Sequence, residues 1–470
     1  MPLPMSSSIK TKYLKSATAV CLAFYLSGCA TGDLSRVEDA RAATAASLPD
    51  LPSQWAMMKE KVGDVDVDWL AQLQDPILDA LVAEAQKNNQ SLQAIAASVD
   101  SARALSNQAA SALSPQLNAS LGSSSAGAVE GSGSNNLNVG VQASWEADLW
   151  GRIRSGNLAA QQSVAAAEAE YKFAQYSLAA NVAKAYFVAI EANRQLDIAQ
   201  KSVDTVVETN RIVQVQFNNG LADQQNVSLA KADLASAQDS LISSKAGQRD
   251  ATRALELLLG RYPSAELATD KELPDLPDTP PAGIPSDLLE RRPDLVAAER
   301  NVAAAFNQVD VAKAAKLPSL SLSGSLGGTS NSLSNILDPA NLAWQAVASL
   351  AAPLIDGGRL DAQVDAATAD QEAAVASYAQ AALNAFADVE QSLDQGTVLR
   401  ERKIALTTVL VESEKALNIA NLQYNEGEIS LLDVLTIQQR VFSARSNLLS
   451  IERASLSQFV DLNLALGGGW

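Results

Sequence analysis

Residues 137–152 read LNVGVQASWEADLWGR. Leu137, Val139, Val141, Ala143 and Trp145 fall on one side of an extended chain. Asn138, Gly140, Gln142, Ser144 and Glu146 fall on the other. A period of two marks a strand with one polar and one apolar face. The run is about ten residues long, the length at which a tilted β-strand crosses a bilayer. Asp148-Leu149-Trp150-Gly151-Arg152 ends it, and a proline-free helical pattern begins at once. A membrane strand joined directly to a long water-facing helix is an unusual unit, and it occurs twice.

Gly357-Gly358-Arg359 follows a second alternating run, Leu342, Trp344, Ala346, Ala348 and Leu350, with Pro353 at its end. Gly358 lies 207 residues after Gly151 (358 − 151). The same offset relates Gln216-Phe217-Asn218-Asn219-Gly220 to Gln423-Tyr424-Asn425-Glu426-Gly427, and Leu259-Gly260 to Leu466-Gly467. Upstream the offset is 203, relating Pro115 to Pro318 and Leu92 to Leu295. The slip of 4 (207 − 203) falls between Pro115 and Gly151, in the strands or their loop, where insertions are tolerated best. The chain reads as two copies of one unit: helix, two strands, long helix, helix. The fold class this predicts is mainly α with membrane β, in an internal two-fold repeat.

Composition bounds the chemistry. Hydrophobic residues make up 47% and aromatics only 5% of the 470 residues, so much of the apolar content is alanine, which suits closely spaced helices. Histidine is absent, which removes the commonest general base and the commonest zinc ligand. The two cysteines are Cys21, inside an N-terminal leader, and Cys29 at its end, so no disulfide or cysteine cluster is expected in the mature chain. No nucleophile–base pair, phosphate loop or metal-ligand cluster is legible, so neither catalysis, a metal nor a cofactor is expected. The net charge is −18, and the part of the chain after Lys10, Lys12 and Lys15 of the leader carries −21. That argues against nucleic acid as a partner. The acidity reads either as an ordinary soluble surface or as a pore interior that favours cations.

The three leader lysines precede a short apolar run, Ala17 to Leu26, too short to span a membrane as a helix. Leu26-Ser27-Gly28-Cys29 resembles a bacterial lipobox, which predicts a signal peptide over 1–28 and a diacylated Cys29. Ala30 is not the aspartate that commonly retains lipoproteins at the inner membrane, so outer-membrane sorting is expected. Two acyl chains anchor stably where one does not. Residues 29–67, with Pro49 and Pro52, read as an extended tether with little regular structure.

The first repeat is assigned to 68–269. Asp75-Pro76 opens a helix, with proline suited to its first turn. A hairpin follows over about 115–147, with Gly122 to Asn136 as a Gly/Ser-rich tip loop, and then a helix pair over about 152–260. A proline-rich linker occupies 270–285. The second repeat is 286–470, with a hairpin at about 318–354, a tip loop Gly327 to Asn341, and a helix pair at about 359–466. Each long stretch could form a helix of about 95–100 Å at ~1.5 Å per residue. Tyr171, Leu178 and Ala185, and likewise Ala174, Asn181 and Val188, are spaced by seven, as in coiled-coil seams.

Four strands cannot close a barrel, and open sheet edges are not tolerated in lipid, so the chain must be an oligomer. At this point the resemblance is specific. The repeat itself, Trp145–Arg152, Glu290-Arg-Arg-Pro-Asp-Leu295, Pro353–Arg359 and the terminal Leu466-Gly-Gly-Gly-Trp470 are similar to the TolC-like outer-membrane efflux proteins, and the lipobox points to their OprM-like lipoprotein branch. The resemblance covers nearly all of the mature chain. It implies a homotrimer whose twelve-stranded β-barrel continues into a twelve-helix periplasmic α-barrel. It implies outer-membrane lipid around the strands, a periplasmic adaptor at the helix tips, and an inner-membrane pump of RND type that supplies the energy.

The resemblance also assigns residues. The periplasmic gate is expected beside Gly220 and Gly427, where the family commonly places acidic rings. Asp433 falls on one such position and Thr436 on another, and Asn226 and Leu229 are their first-repeat equivalents. Gly220 and Gly427 are expected to shape the adaptor-docking turns, with Asp223, Glu426 and Glu428 nearby; the simpler role for the two glycines is helix C-capping. Asp148, Gly151, Arg152, Pro353, Gly358 and Arg359 mark strand-to-helix transitions, with Arg152 pairing Asp148 and Arg359 pairing Asp356, or either contacting lipid head groups. The alternatives are the duct of a type I protein secretion system and, from another class, a non-conducting lipoprotein scaffold.

Overall fold

A computed structural model describes residues 36–57, 68–127, 129, 133–269 and 272–468. The leader, Cys29 and Glu130 lie outside these residues. The chain is mainly helical with one antiparallel sheet. In chain order the elements are α1 Val37–Ala46, α2 Trp69–Gln72, α3 Pro76–Asn88, α4 Gln90–Ser111, β1 Gln116–Gly127, β2 Gly133–Ala147, α5 Arg152–Asn218 and α6 Gln224–Leu258. Then come α7 Leu288–Arg291, α8 Pro293–Ala314, β3 Ser319–Ser330, β4 Leu342–Ala351, α9 Arg359–Asn425 and α10 Leu431–Ala465. The repeat is visible in the lengths: α4 and α8 have 22 residues each, α5 and α9 have 67, and α6 and α10 have 35.

Two compact units are woven from separate segments. One comprises the described parts of Met1–Pro49, Ser98–Glu168 and Ala297–Ala379; the other comprises those of Asp50–Ala97, Ala169–Val296 and Gln380–Trp470.

The first unit holds the sheet, in strand order β1-β2-β3-β4. Its register sets like against like. Ala119, Val141, Leu326 and Trp344 form one row across the four strands, and Asn118, Gln142, Ser325 and Gln345 form the next. Successive rows point to opposite faces, so the sheet has a polar side and an apolar side. Leu117, Leu121, Trp344 and Leu350 are all exposed on the single chain. The strands reach further than the sequence predicts. β1 runs to Gly127 and β2 starts at Gly133, inside the expected tip loop. β3 runs to Ser330, and short 3-10 turns at Leu333–Asn335 and Pro339–Asn341 fill the second loop. Gly/Ser-rich segments look like loops, yet ladder hydrogen bonds use only the backbone, and Ser125 Oγ bonds Asn135 Oδ1 at 2.7 Å across the strands.

The tether reading also needs correction, because Val37–Ala46 is a helix. Its sequence VEDARAATAA is rich in the strongest helix former. Ala40 is buried against Val302, Ala303 and Tyr378, and Arg36 holds Asp310 at 2.7 Å.

In the second unit the core joins α2, α3 and the start of α4 to the middle of α5 and the ends of α6 and α10. Asp75 caps α3 by accepting from the Ile77 and Leu78 amides at 2.9 and 3.0 Å, with Pro76 as its first residue. On α5, Ala179, Val182, Ala183, Tyr186, Phe187 and Ile190 are buried. Of the predicted seam residues, Leu178 is buried in this core and Tyr171, Ala174 and Ala185 pack against it, while Asn181 and Val188 are exposed on the single chain.

The two repeats dock α6 and α10 by equivalent contacts. Asn89 Nδ2 donates to the Leu258 carbonyl at 2.9 Å, and Arg292 Nη1 donates to the Ala465 carbonyl at 3.3 Å. Position 292 is 203 after 89, and 465 is 207 after 258, so one bond survives a change of side chain. Arg292 also pairs with Asp294 at 2.9 Å and Asp388 at 3.1 Å, and lies over the Phe173 ring.

Candidate functional site

The helix tips of the second unit gather most of the predicted site residues. α5 ends in a turn in which Gly220 has φ +73° and the Leu221 amide donates back to the Gln216 carbonyl at 2.8 Å. α9 ends identically, with φ +78° at Gly427 and the Glu428 amide on the Gln423 carbonyl at 2.8 Å. Both are Schellman-type ends, which need a left-handed residue and so favour glycine. Leu221, Glu426 and Glu428 are exposed around these turns.

Asp223 starts α6 by accepting from the Asn226 amide at 2.8 Å, and Asn226 itself is half-buried. Asp433 sits in the first turn of α10 in a capping box with Ser430. Its Oδ2 accepts from the Ser430 hydroxyl at 2.7 Å and from the Ser430 amide at 3.0 Å. These two donors, the hydroxyl first, hold its carboxyl below the ordinary aspartate value. Its charge is therefore fixed at the start of α10 and remains exposed. Thr436, also exposed, donates to the Leu432 carbonyl at 2.7 Å.

One contact at the tips has no counterpart in the sequence reading. The Tyr424 hydroxyl donates to Gln216 Oε1 at 2.7 Å, tying the end of α9 to the end of α5. Burial pushes the Tyr424 hydroxyl up and the bond to Gln216 opposes this. Beneath it Val213 of α5, Val227 and Ala230 of α6, and Leu431 and Leu435 of α10 form a small core, against which Tyr424 of α9 packs. The signal was an asymmetry: the repeat places Phe217, which has no hydroxyl, opposite Tyr424.

The strand-to-helix joints lie in the first unit. Asp148 caps α5 by accepting from the Ile153 and Arg154 amides at 3.0 and 2.9 Å, and pairs with Arg154 at 3.1 Å. Arg152 pairs with Glu146 at 2.8 Å and not with Asp148, whose oxygens are already committed to the helix end. Gly151 supplies the left-handed turn, with φ +78°. At the second joint Asp356 accepts from the Gly358 and Leu360 amides at 3.1 and 2.9 Å. Arg359 reaches Gln363 at 3.5 Å in place of the expected Asp356 pair. Pro353 precedes Leu354 and Ile355, which are 91% and 96% exposed on the single chain. Trp150 Nε1 donates to the Pro318 carbonyl at 2.7 Å, pinning the first joint to the start of the second hairpin.

Among the described residues, no helix is long and apolar enough to cross a membrane, and no group of acidic residues is arranged to hold a metal.

The chain matches the family model for outer membrane efflux proteins over residues 81–261 and 284–468, one stretch per repeat. It is 32% identical over 435 residues to the pyoverdine export outer membrane protein OpmQ of Pseudomonas aeruginosa, covering 89% of this chain and 91% of that protein. It is 28% identical over 461 residues to the cation efflux system protein CusC of Escherichia coli, covering 96% of this chain and 98% of that one. The solved outer-membrane channel OprN superposes with a TM-score of 0.82 at 29% identity, over 90% of this chain and 98% of that one. The chain belongs to the outer membrane efflux protein family, whose members are non-catalytic TolC-like transport proteins, and is an outer-membrane channel with a large helical periplasmic portion.

Proposed function

We propose that the chain is the exit duct of a tripartite, RND-type efflux system, acting as a homotrimer that carries small molecules from the periplasm to the exterior. The observation that carries this reading is the sheet. Its polar row Asn118-Gln142-Ser325-Gln345 lies on one face and its apolar row on the other, while β1 and β4 each have one unpaired edge. Lipid does not tolerate such edges, so copies of the sheet must join edge to edge, apolar side out and polar side around water. Three copies of four strands give a twelve-stranded barrel. An acylated Cys29, at the start of the 29–67 segment, tethers each copy to the outer membrane.

The gate is at the helix tips, with Asp433, Thr436 and Asn226 toward the lumen. The turns at Gly220 and Gly427, with Asp223, Glu426 and Glu428, meet the periplasmic adaptor. The capped, ionised Asp433 supports a cation-favouring constriction with one such carboxylate per chain. Relatives are named for pyoverdine and for cations, so cargo choice is assigned to the inner-membrane pump.

The test is single-channel recording of the detergent-extracted oligomer in a planar bilayer at low and high salt. Cation-selective steps of one unit size, small at rest and larger in an Asp433→Asn variant, are expected. A folded oligomer that stays silent in both forms would remove the conduit reading.

A further inference from the structure

In the second unit the two repeats meet where α5 lies against α10. Gln195 Nε2 donates to the Ser446 carbonyl at 3.2 Å, and the Ser446 hydroxyl donates to Gln195 Oε1 at 2.8 Å. Glu191 accepts from the Ser450 hydroxyl at 2.6 Å and from Arg453 Nε at 2.8 Å, and Lys184 pairs with Asp461 at 2.7 Å. Along this stretch α6 flanks α5, through Leu234, Ala237 and Leu241, and α9 flanks α10, through Lys403–Glu452 and Glu414–Arg445.

The repeat selects what belongs against those two flanking helices. Its offsets hold in the structure: Gln116 faces Ser144 and Ser319 faces Ala351, and adding 203 and 207 carries the first pair onto the second. An offset of 207 also carries α5 onto α9 and α6 onto α10. The seam of α5 with α10 therefore has an equivalent, α9 with α6, and that equivalent joins one copy of the chain to the next. The faces concerned are bare on the single chain. Ile242 of α6 is 67% exposed, whereas its α10 equivalent Leu449 is 4% exposed. Arg402 and Val409 of α9 are exposed, whereas their α5 equivalents Gln195 and Ser202 are half-buried.

The chemistry of the two faces changes in step. Gln195 and Ser446 become Arg402 and Asp239, so an amide–hydroxyl pair is replaced by opposite charges. Glu191 with Ser450 and Arg453 becomes Val398 with Ser243 and Ala246, and Lys184 with Asp461 becomes Gln391 with Ala254. Each ion pair is lost from both sides together, and no charge is stranded. Arg402 and Asp239 are both exposed, and among the described residues neither has an ion pair within the chain. Opposite charges also set direction, since two α9 faces or two α6 faces would bring like charges together.

We propose that each copy docks on the next through this seam, α9 against α6, with Arg402 of one copy paired to Asp239 of the next. The inference rests on the homotrimer reading and adds to it the faces and the charge pair that join the copies.

Cross-linking of the purified full chain in detergent tests it. Arg402→Cys and Asp239→Cys are combined in one chain and treated with a short bifunctional maleimide. Covalent dimers and trimers are expected from the double variant, and monomers from either single variant. Gln195→Cys with Ser446→Cys, on the seam inside the chain, should link without forming a covalent oligomer. Charge reversal gives a second readout. Arg402→Glu and Asp239→Lys should each lower the temperature at which the oligomer dissociates, and the two together should restore it. A protein that is trimeric by native mass spectrometry, yet gives neither covalent oligomer nor rescue, would overturn the seam and leave the duct reading standing. An unaltered protein that is monomeric would overturn the trimer and the seam with it.

Discussion

Glu256 shows how a single residue can fix a turn. It is 2% exposed, and its carboxylate accepts from the amides of Ala265, Glu266 and Leu267 at 2.7 to 3.0 Å, closing the chain back over the end of α6. Burial pushes its carboxyl up, but these amides and the Ser264 hydroxyl outweigh it and leave the group below the ordinary value of 4.5. A carboxylate depressed in the folded state adds stability above its unfolded pKa, and this is lost as pH falls through the folded value. Glu256→Gln is therefore expected to lower stability by about 1.5–3 kcal/mol at pH 7, the worth of a charge-assisted bond. The difference should shrink as pH falls below the unfolded value of 4.5 and through the lower folded value, where the native glutamate takes up its proton. Thermal unfolding of both forms across that range checks it, and a gap that stays constant with pH would refute it. Nothing in the sequence marks Glu256, since its partners come from a stretch without periodic pattern. Arg152 and Arg359 were legible as joint residues, but their partners were not. The nearest acids cap helices instead, because a helix start leaves free amides that attract a carboxylate first.

At the scale of elements, the joints between helices carry the repeat. Gly260 has φ +73°, and a Cβ there would lie 2.5 Å from the Asn88 carbonyl oxygen. Gly427 has nearly the same φ, +78°, with nothing within 4 Å. Alanine at Gly427 should then cost only the left-handed backbone, about 1–2 kcal/mol. Alanine at Gly260 should cost that and also force α6 away from α3. A clearly larger fall in the apparent unfolding midpoint for Gly260→Ala is the expected result; equal falls would show that the Asn88 contact does not matter. Both glycines were legible as helix ends, and the alternating strands were legible from their period. α1 was missed because two prolines dominate the reading of its neighbourhood, and the strand tips were missed because Gly and Ser carry no facing preference.

For the whole molecule, the open edges of β1 and β4 decide the assembly. Native mass spectrometry of the detergent-extracted protein is expected to give three chains, hence twelve strands. A stable dimer would give eight and would overturn the twelve-stranded barrel. The wholly exposed β4 makes sense only beside another copy, since a lone edge strand with apolar side chains would aggregate.

The sequence by itself determined the unit, its duplication and the type of each major element. Those depend on period, offset and turn chemistry, which are local and repeat in register. Only the tertiary structure decided which side chains meet. The Tyr424–Gln216 tie spans 208 residues, Arg292 reaches Asp388 across 96, and Gln438 Oε1 is buried without a hydrogen bond. Partner choice of this kind depends on how the helices rotate and pack against one another, and no pattern along a single helix encodes that rotation.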